Sequence, residues 1–103
     1  MLREPVTLRG VELRYLLTLA ILDHGGPITV GQLCNQLARR GVNTPGRLSK
    51  DISDALRWEI DRGRVRRTAR STYTTGHLAH QTVWRMRNRF AAHVAAPRAV
   101  AES

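Results

Sequence analysis

Residues 28–41, ITVGQLCNQLARRG, constrain the fold most, because they specify both ends of one helix and its buried side. Thr29 followed by Gln32 makes a capping box, in which each side chain satisfies the other residue's free backbone N–H. Val30, Leu33, Cys34, Leu37 and Ala38 recur at the spacing of one helical face, and Gly41 stops the helix. Cys34 therefore reads as a small core residue rather than a nucleophile or ligand. The turn Gly41-Val42-Asn43-Thr44 is four residues long, with Thr44 as the next cap and Pro45 at the first helical position. Leu48, Ile52, Ala55, Leu56 and Ile60 give this second helix, residues 45–62, its inner stripe before Gly63.

A further helix precedes the pair, from about Arg9 to Asp23, and Gly25-Gly26-Pro27 ends it. Val11, Leu13, Leu16, Leu17, Ala20 and Ile21 form one apolar face. Tyr15, Leu19 and Leu22 form another, so this helix requires two partners. Residues 1–8 read as an extended arm, with Pro5 blocking an early helix. At 103 residues the chain supports one domain with one modest core. A single cysteine rules out a disulfide framework and points to a reducing, cytoplasmic setting. The apolar run from Tyr15 to Leu22 is too short to span a bilayer, and its flanks lack the pattern of a secretory signal.

Charge is concentrated rather than spread. The net charge is +9, and from Arg62 to Arg89 there are eight arginines and no acid. Such a segment attracts a polyanion, with nucleic acid the leading class. Within it, Val65-Arg66-Arg67-Thr68 and Thr72-Tyr73-Thr74 pair as a hairpin around Ala69-Arg70-Ser71, with Val65 and Tyr73 facing the core.

Two helices on a short glycine-containing turn make a helix-turn-helix. With the helix before it and the basic hairpin after it, the stretch from Ile28 to Tyr73 resembles the winged helix-turn-helix domains of bacterial transcription regulators. Linker-histone globular domains share that layout. The fold class expected is mainly α with a small β-hairpin wing, plus a C-terminal helix; the winged domain covers residues 9–76. In such motifs the second helix enters the major groove by its N-terminal part, which singles out Arg47, Ser49, Lys50 and Ser53, with Arg57 further along the same face. The resemblance implies that the wing, residues 64–74, lies along the DNA backbone or in a minor groove. It gives that role to Arg66, Arg67 and Arg70, with Arg64 beside them.

Val83, Met86, Phe90 and Val94 form an apolar stripe on a helix within residues 77–95; Thr82–Met86 also alternates as a strand that would extend the wing. This stripe and the second face of the first helix, Tyr15, Leu19 and Leu22, are expected to pack together, either within one chain or across a two-fold axis; a homodimer is the favoured form. Residues 96–103 read as a disordered tail.

No motif supports catalysis: the chain has no P-loop, no dinucleotide glycine fingerprint, no nucleophile elbow and no HExxH. His77 and His80 lack neighbouring ligands for a metal pair, so neither metal nor cofactor is expected, and no small-molecule effector is expected either. The expected function is double-stranded DNA binding, by a small transcriptional regulator or a nucleoid-associated protein. The alternative is a winged-helix module for protein contacts within a larger assembly. Single-stranded RNA is disfavoured by the shortage of aromatics for stacking.

Overall fold

In the computed structural model, which describes residues 6–90, the chain order is β1 (Val6–Thr7), α1 (Gly10–His24), β2 (Ile28–Thr29), α2 (Val30–Arg39), β3 (Val42–Asn43), α3 (Leu48–Asp61), β4 (Val65–Ala69), β5 (Thr72–Thr75) and α4 (His80–Phe90). Helix α1 is the centre of the molecule. It packs against α3 and also against α4, and Leu13 and the run Leu16–Ile21 are all buried. A helix apolar on two faces has found two partners, as its pattern requires. Leu33 and Leu37 from α2 and Ile52 and Leu56 from α3 complete the interior with Ile28, Val65 and Tyr73.

Helix α2 starts where its capping box places it. The Gln32 N–H donates to Thr29 Oγ1 at 3.1 Å, and the Thr29 N–H donates to Gln32 Oε1 at 2.8 Å. Val30, Leu33 and Leu37 are buried, whereas Cys34 is half-buried against the core and Ala38 is exposed. Burial pushes the Cys34 thiol pKa up, which suits a packing residue.

Helix α3 begins three residues later than the sequence pattern suggests. Pro45 is not its first residue; Arg47 is its N-cap and Leu48 its first helical position. The delay has two causes. Val42 and Asn43 are held as β3, paired in parallel with Val6 and Thr7, and the Leu8 N–H donates to the Asn43 carbonyl at 2.8 Å. Asp51 then reaches back to accept the Gly46 N–H at 2.8 Å, fixing the approach to the helix. The Thr44 hydroxyl, followed by that Gly46 N–H, holds the Asp51 carboxyl below its ordinary pKa.

The hairpin is slightly longer than the sequence pattern suggests and is one part of a larger sheet. β5 is the middle strand of an antiparallel sheet in the order β2-β5-β4, with Ile28 opposite Tyr73 and Val65 opposite Thr75. A bulge lies between Arg67 and Ala69, and the tip is Arg70-Ser71, with Ser71 in the left-handed region at φ 54°. The Val30 N–H donates to the Ser71 carbonyl at 3.0 Å, so the hairpin is also joined to the start of α2. Residues 82–86 are helical rather than a continuation of the hairpin. The expected continuation to residue 95, the tail 96–103 and the first five residues of the arm lie outside the described residues. Among the described residues, no helix is long and apolar enough to cross a membrane.

Candidate nucleic-acid interface

Helical spacing divides the outer side of α3 into two strips. Lys50, Ser53 and Arg57, at i, i+3 and i+7, form one, with Ser49 at its edge and Arg47 at the N-cap. Asp51, Asp54 and Trp58 form the neighbouring strip. Arg47, Ser49, Lys50 and Arg57 are exposed, and Ser53 is half-buried. Lys50 Nζ lies 2.8 Å from Asp54 Oδ2, and both side chains are largely in water. An exposed i,i+4 pair of this kind contributes about 0.3–0.5 kcal/mol, so Lys50 is released at little cost when a stronger anion approaches.

The hairpin presents its arginines on either side of the bulge. Arg66, Arg67 and Arg70 are all exposed, and none has an acidic partner among the described residues. Arg67 Nε donates to the Ala69 carbonyl at 3.3 Å, which turns its guanidinium towards the tip. Val65 and Tyr73 are buried as the alternation indicates, and they fix the sheet against the core.

Arg64 is placed differently from the expectation that groups it with the wing cations. Its side chain is only 21% exposed, and it pairs with Glu59 at 3.2 Å. Glu59 is the residue that sequence reasoning missed, and it is fully buried. Its angular position is the signal that was available, because Glu59 falls on the inner side of α3 with Ile52, Ala55 and Leu56. Thr18 Oγ1 donates to Glu59 Oε1 at 2.9 Å, and Arg64 Nη1 lies 3.2 and 3.4 Å from the two carboxylate oxygens. Arg14 Nε lies 3.4 Å from Oε2, at ion-pair distance but without hydrogen-bond geometry. The guanidinium carbon of Arg64 is also 6.0 Å from the centre of the Tyr15 ring. Arg14 and Arg62 approach the Trp58 ring to 5.3 and 5.4 Å, and that ring is 55% exposed.

Of the two apolar stripes expected to pack within one chain or across a two-fold axis, the described parts lie on α1 and α4, which pack together in this chain. Leu19 and Met86 are buried, and Tyr15, Leu22 and Val83 are half-buried. Arg87 Nη2 reaches Asp23 at 2.8 Å and Arg89 Nε reaches Glu12 at 3.1 Å. Those acids stand eleven positions apart on α1, roughly 16 Å along its axis. Arg87 and Arg89, two positions apart on α4, therefore reach towards opposite ends of α1. Among the described side chains of α4, Met86 is the buried one. The side chain of Phe90, and Val94, lie outside the described residues.

Among the described residues, no three His, Cys, Asp or Glu side chains gather into a metal-binding group. Comparison with family models, with curated proteins and with solved structures returned no significant match.

Proposed function

We propose that this chain is a winged helix-turn-helix domain that binds double-stranded DNA, as a small transcriptional regulator or a nucleoid-associated protein. On this reading α3 enters the major groove, with Arg47, Ser49, Lys50 and Ser53 towards the bases and Arg57 towards the backbone. Arg66, Arg67 and Arg70 hold phosphates or enter the minor groove beside it. The observation that carries the reading is the set of three exposed wing arginines without acidic partners among the described residues, joined through Gly63 to the end of α3. A purely structural hairpin has no use for three unpaired cations, whereas a polyanion does.

Salt titrations of binding to duplex DNA test it. Arg66→Ala combined with Arg70→Ala is expected to reduce the log–log salt slope by about one to two units, since each phosphate contact contributes roughly 0.9. An unchanged slope removes the wing from the interface. Selection of bound sites from random duplex DNA separates the two forms of the function: one enriched motif indicates a regulator, and tight binding without a motif indicates an architectural role.

One feature favours the protein-contact reading. Trp84 is 67% exposed on α4, the helix that packs against α1. Exposed tryptophans are common anchors in protein interfaces. Trp84→Ala is expected to leave DNA affinity unchanged if this surface serves a different partner.

A further inference from the structure

We infer that Glu59 is the positioning residue that sets the wing relative to the recognition helix, and that Arg64 is its anchor rather than a DNA contact. The inference rests on the DNA-binding reading above and assigns a task to residues outside the proposed contact surface.

The geometry is a two-point hold on one residue. The Glu59 carbonyl accepts the Arg64 N–H at 3.0 Å, and the Glu59 carboxylate takes the Arg64 guanidinium at 3.2 Å. Arg64 immediately precedes β4, so its backbone and side chain together define how the hairpin leaves α3. The other end of the hairpin closes on the same point: the Gly76 N–H donates to the Arg64 carbonyl at 2.8 Å and the His77 N–H donates to the Gly63 carbonyl at 2.7 Å. Behind the carboxylate, Thr18 and Arg14 from α1 restrict its movement. Three elements, α1, α3 and the wing root, therefore meet at one buried side chain.

Charge explains why this group matters. Arg14, Arg64 and Glu59 sum to a net +1 beneath the surface, and without Glu59 two arginines would face each other with no anion between them. Arg64 would then turn outward, and of its two holds on Glu59 only the backbone hydrogen bond would remain. The pairing with β2 and the hydrogen bond to the start of α2 fix the sheet to the core, and neither touches the recognition helix. A wing free to tilt against α3 cannot present Arg66 and Arg70 to the same duplex at a defined distance, which is the condition for the two elements to bind as one unit.

A double-mutant cycle on DNA binding tests this. Glu59→Gln keeps the shape and removes the charge; Arg64→Met keeps the stem over Tyr15 and removes the cation. Each is expected to lower the salt slope by about one unit, with no change in preferred sequence. Added to the Arg66→Ala/Arg70→Ala background, neither is expected to lower the slope further, because the wing contacts are already gone. Full additivity would make Arg64 a direct phosphate contact and overturn the proposal, as would an unchanged slope in either folded variant.

Hydrogen exchange on the free protein supplies a second readout, which also decides the matter if the wild type binds no duplex DNA. In Arg64→Met, and in Glu59→Gln where it folds, faster exchange confined to the amides of residues 64–77 supports positioning. A uniform rise over α1, α3 and the hairpin reduces Glu59 to a general stabiliser and overturns the proposal.

Discussion

Met86→Ala tests whether α4 belongs to its own chain's core. Met86 is 1% exposed on α4, which packs against α1, so truncation removes buried apolar surface that docks the helix. Burying a side chain of that size contributes about 1.5–3 kcal/mol, and large-to-small changes in cores cost about 2–5 kcal/mol once the cavity is included. The lower part of that range applies, because α4 can detach and so limit the loss. The Arg87–Asp23 and Arg89–Glu12 pairs that remain are substantially exposed and contribute at most about 1 kcal/mol each. We expect a loss of about 2–3 kcal/mol, equivalent to a fall in Tm of roughly 10–20 °C for a domain of this size. Urea and thermal unfolding, monitored by circular dichroism at several protein concentrations, measure it. Docking in cis makes both the wild-type Tm and the loss independent of concentration, whereas a dimer built on the same residues makes them rise with it. A Met86→Ala loss below about 0.5 kcal/mol, or a Tm that climbs with protein concentration, would refute the packing of α4 on its own α1.

Three other outcomes follow from named contacts. Arg47→Ala and Lys50→Ala are expected to change which duplex sequences are preferred, each at a cost of about 1–3 kcal/mol at one base position; uniform loss across all sites would make them backbone contacts. Gly76→Ala should destabilise by about 1–3 kcal/mol, because a Cβ there runs into the Gly63 carbonyl at the wing root; unfolding at unchanged stability would show that the root can shift. The Asp51 carboxyl has a lowered pKa, so its contribution is complete above the ordinary aspartate range and disappears as acid protonates the folded form. Asp51→Asn should therefore flatten the acid limb of the stability curve, and an unchanged limb would mean that the Thr44 and Gly46 contacts contribute nothing.

What the sequence determined by itself is the set of features fixed by neighbours a few positions apart. The Thr29–Gln32 box, the stop at Gly63 and the alternation that buries Val65 and Tyr73 need only local geometry, and each stands where the pattern places it. The tertiary structure decided whatever depended on distant residues. β2 has only two residues, too few for a periodic signal, and is a strand because Tyr73 and Thr72 supply its partners. The delay of α3 to Leu48 depends on Val6 and Thr7 pairing with β3. Glu59 falls on the inner side of α3 by its spacing, but its partners there, Thr18, 41 positions earlier, and Arg14, are supplied by the fold. A carboxylate leaves water only where donors are already assembled to receive it, and that assembly exists only in the folded chain.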